Sequence, residues 1–469
     1  MFRFSLAAAI ALFATPGLAA EATLTPDRAA FRDTYKELVE TNTTLSVGDC
    51  TLAAKRMAQR LKAAGFADSD LHIYTPPDHP KEGGLVAILH GSDPKQKAIL
   101  LLAHIDVVEA KREDWQRDPF TLVEEGGYFY ARGASDDKAM AAIWVDTLIR
   151  YRQEKFVPKR DLKLALTCGE ETETAVNGVE YLIAHERKLI DAAFAINEGA
   201  GGSLDENGKR VTLEVEAGEK LYQDFHLEVT NPGGHSSQPV KENAIYRLAG
   251  ALTRVGGHEF PVQLNDTTRA YFTKLAEIKG GKAADAIRAL LKNPHDAAAD
   301  AEVSQDKQWH SMLRTTCVAT MVDAGHAVNA LPQRARANVN CRIFPGTTVD
   351  AVLQTLTKVV NDGAVSVKPV LPVNVGAPAP PLTKAIMGPV EAVAREIYPG
   401  TPIVPVLTTG ATDGNHLTAA GIPTYGIEGT FTDPDNGNIH GLNERIGVKA
   451  LYDGRDFLFK LVKIYATEG

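Results

Sequence analysis

The stretch AILLLAHIDVV, Ala98 to Val108, is apolar except for His104 and Asp106. So continuous a run predicts a β-strand buried on both faces, as in parallel sheets sandwiched between helices. Burying an imidazole or a carboxylate without a partner costs on the order of several kcal/mol, so the stretch must carry its own compensation. Side chains two apart on a strand share a face, which lets His104 and Asp106 point the same way. A carboxylate behind a histidine fixes the tautomer of a metal-binding imidazole. A core His–Asp pair without any metal is the competing reading of the same residues.

Outward from this strand, LVAIL (85–89), LKLALTC (162–168) and AAFAIN (192–197) repeat the apolar run. Helical patterns lie between some of them, in DKAMAAIWVDTLIRYRQ (137–153) and NGVEYLIAHERKLI (177–190). An earlier helix is expected from Asp49 to Phe66, with Asp49 as its cap and Leu52, Met57 and Leu61 on one face. Strands alternating with helices predict an α/β domain built on a mostly parallel sheet. Around Ala217 the texture changes. LYQDFHLEV (221–229) alternates like a half-exposed strand, and a helix follows over 243–255. Strands at 315–325 and 334–344, a helix at 349–360 and a strand at 365–373 complete a β-α-β-β-α-β order. That order is ferredoxin-like. It is interrupted by residues 258–313, rich in Ala, Lys and Asp, which read as extra helices without an assignable role.

The expected organisation is therefore a leader over 1–20 and a catalytic domain over 21–216 and 376–469. An inserted ferredoxin-like α+β domain occupies 217–375 as lid and dimerisation unit. A chain of 469 residues is too long for one ordinary core, which agrees with two domains. The first residues, MFRFSLAAAIALFATPGLAA, carry one Arg, an apolar run and small residues. They predict a secretory signal cleaved after Ala19 or Ala22, hence a secreted, periplasmic location. No later segment is apolar for long enough to span a bilayer. The net charge of −9, uninterrupted by any Lys/Arg block, argues against nucleic acid as a partner. Four cysteines in so long a chain are no disulfide framework. Cys317 and Cys341 read equally as a bridge between two strands or as two buried thiols, and Cys50 and Cys168 carry no specific signal.

Ligands of open α/β sheets bind beyond the carboxyl ends of strands, and that is where the polar residues cluster. AILLLAH delivers His104 and Asp106. YFYARGASDDKAM delivers Asp136 and Asp137 where a helix begins, and LKLALTCGEETE ends in Glu170 and Glu171. AAFAINEG ends in Glu198, and NIHGLNER offers His440. Taken singly, these are a helix cap, first-turn acids, a turn and a loop histidine. Together, like-charged carboxylates converging on one sheet edge need a cation. Imidazole and carboxylate donors suit Zn2+, with Mn2+ or Co2+ as alternatives. The donors exceed the needs of one catalytic ion, so a pair is expected.

The motifs HIDVV, RGASDDK, GEETE, NEGAGG, NPGGHSSQP and NIHGLNER, in this order, resemble the M20 family of metallopeptidases and aminoacylases. The long insertion and the stretch RTTCVATMVDAGHAVNALPQRARANVNCRIFPG look most like the carboxypeptidase S and secreted N-acyl-amino-acid hydrolase branch. The resemblance implies that His104 and Glu198 complete one zinc site, Glu171 and His440 the other, and that Asp136 bridges them. It implies a cis peptide between Asp136 and Asp137, Asp106 orienting His104, and Glu170 as general base and later acid. It further implies that His235 stabilises the oxyanion, often from the partner subunit of a homodimer formed through the inserted domain. Asn329, Arg342 and Gly410 match substrate-binding positions, Gly410 in a loop lining the carboxylate pocket. In that loop Asn415 stands where relatives commonly carry Arg. The implied substrates are peptides or N-acyl amino acids with a free carboxylate, cleaved in a carboxypeptidase-like reaction. An aminoacylase or dipeptidase is the alternative, and an inactive ligand-binding homologue a remote one.

Overall fold

The computed structural model describes residues 24–172 and 174–467; the expected leader lies outside them. Helices α1 (Pro26–Val39) and α2 (Cys50–Ala63) lead into β1 (Leu71–Tyr74), β2 (Gly84–Leu89) and β3 (Ile99–His104). The hairpin β4 (Val123–Glu125) and β5 (Tyr128–Tyr130) precedes α3 (Lys138–Gln153) and β6 (Leu162–Thr167). Next come α4 (Gly178–His185), α5 (Arg187–Ile190), β7 (Phe194–Asn197), β8 (Gly202–Leu204) and β9 (Arg210–Glu219). The inserted unit holds β10 (Leu221–Thr230), β11 (Gly234–His235), α6 (Ala244–Gly256), α7 (Asp266–Lys279), α8 (Gly281–Lys292), α9 (Ala297–Val303) and α10 (Lys307–Met312). It continues through β12 (Thr316–Ala324), β13 (Ala330–Leu331), β14 (Arg334–Ile343), α11 (Val349–Val360) and β15 (Val365–Pro369). The chain returns with α12 (Lys384–Ile397), β16 (Ile403–Thr408), α13 (Asp413–Ala419), β17 (Thr424–Gly426), β18 (Phe431–Thr432), β19 (Arg445–Gly447) and α14 (Val448–Thr467). Among these, no helix is long and apolar enough to cross a membrane.

The central sheet runs β1-β2-β6-β3-β7-β17-β9-β8-β18, with β16 added on β9. Its middle is parallel: β3 pairs with β6 and β7 in that sense, as do β7 with β17 and β9 with β16. Strand β3 shows why its sequence is apolar throughout. Ile99, Leu101 and Ala103 join a core with α1, α2, α3, α12 and α14, whereas Leu100 and Leu102 join a second core with α4, α5 and α13. Each such Leu or Ile contributes about 1.5–3 kcal/mol by burial. The expected helices appear, trimmed at their ends. Asp49 caps α2 by accepting from Leu52 N, and the 177–190 pattern breaks at Glu186 into α4 and α5. Strand β9, unmarked in the sequence, carries the central sheet on to Glu219, so the hand-over to β10 occurs at Lys220.

The inserted sheet is antiparallel with order β12-β14-β10-β15, the ferredoxin-like arrangement, and α6 and α11 cover one face. Strand β10 alternates buried and half-buried residues as its pattern predicts. The 258–313 interruption folds into α7–α10, as expected. It packs back on the central sheet, sharing a core with Val404, Val406 and Leu407 on and beside β16. That placement buries the Val404 and Val406 side chains of β16. Both cysteine pairs are bonded: Cys317–Cys341 across β12 and β14, and Cys50–Cys168 between the start of α2 and the end of β6. Partners 118 residues apart left no local signal for the second.

Candidate metal centre

At the carboxyl edge of the central sheet, β3 ends in His104, which is 2% exposed. Its Nδ1 lies 3.1 Å from the backbone oxygen of Asp106, while the Asp106 carboxylate is 3.6 Å away. Asp106 thus faces the ring through both its backbone oxygen, the nearer contact, and its carboxylate. The carboxylate also accepts the amides of Glu171 at 3.0 Å and Glu170 at 3.4 Å. Asp106 therefore couples the end of β3 to the loop that follows β6.

His104 Nε2 faces Asp136 Oδ1 at 2.9 Å and Glu198 Oε1 at 3.6 Å. The other Asp136 oxygen, Oδ2, lies 3.1 Å from His440 Nε2, which also meets the Glu171 carboxylate at 2.8 Å. Asp136 thus stands between the two imidazoles with one oxygen toward each. The capping alternative does not hold, because Asp137, the residue preceding α3, makes no side-chain capping bond. The Asp136–Asp137 peptide is cis. Ligand atoms of His104, Asp136 and Glu171 lie within 4.8 Å of one another, and so do those of His104, Asp137 and Glu198. Asp137, buried beside Glu198, had no assigned role in the sequence. The His440 side chain is 53% exposed against 2–14% for the other four ligand candidates, so the cluster opens on that side.

The electrostatics favour a bound cation. Burial works against the charge on Asp136, but hydrogen bonds with His104 and His440 hold it far below the usual carboxylate range. Burial pushes Glu198 up to about 8, against the pull of His104. Burial likewise pushes Glu170 to about 10, opposed by His104 and reinforced by Glu198, Asp413 and Glu171. Hydrogen bonds to Asp136 and Glu171 raise His440 to about 10. A divalent ion relieves this crowding by neutralising the acids and replacing the protons on the imidazoles. The N/O donor set fits such an ion. The Glu170 carboxylate accepts no hydrogen bond from the described residues and remains free to meet a water.

Several supporting residues lay unnoticed inside quoted motifs. Buried Glu444, in NIHGLNER, and buried Arg132, just ahead of GASDDK, pair at 2.7 Å. Asp413, in TTGATDGNH, accepts from Asn177 Nδ2 at 2.6 Å and Thr167 Oγ1 at 3.2 Å, tying its loop to both ends of the Glu170–Glu171 segment. Type and spacing marked ligands, but only the fold shows which polar neighbours hold them.

The other expected site residues stand apart from this cluster. His235 is exposed on the short ribbon β11–β13, where Nδ1 meets Ser237 Oγ at 2.7 Å. Asn329 adjoins it, its backbone oxygen accepting Ser236 N at 3.0 Å. Among the described residues, neither bonds to the metal cluster. Arg342, on β14, lies over the Tyr222 ring at 4.8 Å and near Lys220. Gly410 is half-buried in the loop after β16, and Asn415 donates to the Lys220 backbone oxygen at 3.3 Å.

The model of peptidase family M20/M25/M40 matches residues 100–464. The chain is 30% identical over 390 residues to human N-fatty-acyl-amino acid synthase/hydrolase PM20D1, spanning 81% of this chain and 76% of that protein. It is 26% identical over 298 residues to carboxypeptidase S of Saccharomyces cerevisiae, spanning 61% and 52%. In fold it resembles an M20 family metallo-carboxypeptidase from Sulfolobus solfataricus, with a TM-score of 0.68 at 19% identity over 94% of this chain and 100% of that one. Human carnosine dipeptidase 1 follows with a TM-score of 0.62 at 17% identity, over 94% and 96%. With the match running across most of its length, the chain belongs to peptidase family M20/M25/M40 and is a hydrolase of amide bonds.

Proposed function

We propose that the protein is an exported di-zinc hydrolase that cleaves the amide bond of peptides or N-acyl amino acids bearing a free C-terminal carboxylate. The observation that carries this reading is Asp136, whose two oxygens face different imidazoles at 2.9 and 3.1 Å. In it, His104 and Glu198 would hold one ion and Glu171 and His440 the other, with Asp136 standing between them; the same donors would also suit Co2+ or Mn2+. When bound, such a pair supplies Lewis acidity and lowers the pKa of water in the cleft. Glu170, held at its backbone by Asp106, takes the proton of the attacking water and returns it to the departing amine. Arg342 pairs with the substrate carboxylate as a fixed fork beside the Gly410 loop, and Asn329 contacts the substrate from the His235 ribbon.

His235 approaches the developing oxyanion from the partner subunit of a homodimer. Its exposed position supports this role, as do Val318, Met321 and Val322, exposed on the edge strand β12. Export is supported by the leader-like first residues and by two disulfides, which persist in oxidising compartments. The relatives named for N-fatty-acyl-amino acids and for carboxypeptidase activity frame the substrate test. Purified mature protein is incubated with dipeptides, longer peptides and N-acyl amino acids, with zinc and after chelation, and released amino acids are read by mass spectrometry. Zinc-dependent release of the carboxylate-bearing residue is the expected result. Release from N-acyl amino acids alone selects the aminoacylase reading. No release from any substrate, with zinc bound, refutes the substrate class.

A further inference from the structure

The two metal-ligand loops that do not belong to the sheet are joined by one buried ion pair. Glu444 is 0% exposed and Arg132 is 2% exposed. Glu444 Oε1 accepts the amides of Ser135 at 2.8 Å and Asp136 at 3.1 Å. Its Oε2 accepts the amide of Gly133 at 3.1 Å and Arg132 Nη1 at 2.7 Å. Arg132 then extends Nη2 to the backbone oxygens of Gly441 at 2.9 Å and His440 at 3.3 Å. One carboxylate and one guanidinium thus bind the main chain on both sides of the cluster.

The loop they hold needs holding. Asn438, His440 and Asn443 all adopt left-handed backbone, with φ of 56°, 61° and 56°. Residues with a side chain disfavour that region, and such conformations persist only where the surroundings over-determine them. His104 and Glu198 stand differently: they extend from β3 and β7, paired neighbours in the middle of the central sheet. Their positions follow from the sheet and do not depend on Arg132 or Glu444.

We infer that the Arg132–Glu444 pair is a positioning bracket whose two members act differently: Arg132, on the carbonyls of His440 and Gly441, sets the affinity of the His440/Glu171 metal position alone, while Glu444, on the amide of the shared residue Asp136, supports both positions. The inference rests on the two-ion reading above. Losing supports of this kind lowers metal affinity by about 10–100-fold. For Arg132 the loss falls on one ion, because its carbonyl partners lie only in the His440 loop. Arg132→Lys keeps the charge beside Glu444, but an ammonium lacks the fork needed to span the carboxylate and two carbonyls. Glu444→Gln keeps one acceptor oxygen and loses the charge.

The experiment is zinc titration of metal-stripped wild type, R132K and E444Q against a competing chelator, with ion stoichiometry by mass spectrometry and thermal unfolding of the stripped proteins. Wild type should bind two ions. R132K should keep one at wild-type affinity and bind the second about 10–100-fold more weakly. Its lost turnover should return at raised free zinc with kcat unchanged, whereas a general folding defect would lower the active fraction at every zinc concentration. E444Q, which disturbs the support of Asp136, should weaken both ions, and if it does not fold, R132K decides alone. Two wild-type affinities in R132K, or equal weakening of both, overturns the bracket. Fewer than two ions in wild type overturns the two-ion reading beneath it.

Discussion

Replacing Cys50 and Cys168 together by alanine tests how the hydrolytic loop is anchored. The bridge closes 118 residues, against 24 for Cys317–Cys341. Loop-closure entropy puts its contribution at about 4.9 kcal/mol at 25 °C, compared with about 3.5 kcal/mol for the shorter loop. The larger figure is a sizeable share of the roughly 5–15 kcal/mol that separates a folded protein from its unfolded chain. Cys50, Cys168 and Cys341 are buried, at 2%, 4% and 0% exposure, while Cys317 is half-buried, so the Cys50/Cys168 variant also loses somewhat more packing. Position adds a second consequence. Cys168 is followed directly by Gly169, Glu170 and Glu171, so the bridge fastens the segment carrying the proposed general base to the start of α2. Urea unfolding under non-reducing conditions should therefore show a larger loss for Cys50→Ala/Cys168→Ala than for Cys317→Ala/Cys341→Ala. Where both are fully folded by circular dichroism, the first should also lose turnover while the second retains its metal-dependent chemistry. A loss for the Cys50/Cys168 variant no greater than for the other, together with unchanged turnover, would refute the anchoring argument.

Glu170→Gln should keep both ions yet lose about 10²–10⁴-fold in kcat, the range of positioned acid–base catalysis; near-normal kcat in the zinc-loaded variant would sink the general-base role. A different measurement isolates a buried cation. Lys220 is 0% exposed, its Nζ bonded to Ser311 and Thr316, and burial together with nearby Arg342 and Arg314 pushes it down to about 7. Between pH 7 and about 10 the unfolded lysine holds a proton that the folded one has released, so this group adds stability as pH rises through that window. Lys220→Met should flatten the stability–pH curve there by up to about 1.4 kcal/mol per pH unit, and parallel curves for wild type and variant would contradict the shift.

Much of the site was legible because its chemistry sits at strand ends. His104 ends an apolar run and Glu170, Glu171 and Glu198 come within a few residues of one, and polar residues closing a buried strand stand out in one dimension. His440 has no such frame. It comes from a loop of left-handed turns, and by itself it reads as an ordinary loop histidine. Asp106 stands beside His104, and alternation along a strand locates such a side chain without naming the atom that bonds. Its backbone oxygen serves the imidazole while its carboxylate serves the next loop. The 258–313 segment shows the same limit on a larger scale. Its composition predicts helices, yet nothing local says that they turn back from the inserted domain to cover β16.

The apolar runs, the β-α-β-β-α-β order and the residue types at strand ends were determined by the sequence alone, because periodicity and burial are read from near neighbours. Only the tertiary structure decided the pairings that close the site: Cys50 with Cys168, Asp413 with Asn177, and Arg132 with Glu444, 312 residues apart. Each joins segments remote along the chain, and each depends on geometry that the sheet creates when its strands come into register. A carboxylate buried at position 444 has no meaning until residue 132 arrives beside it.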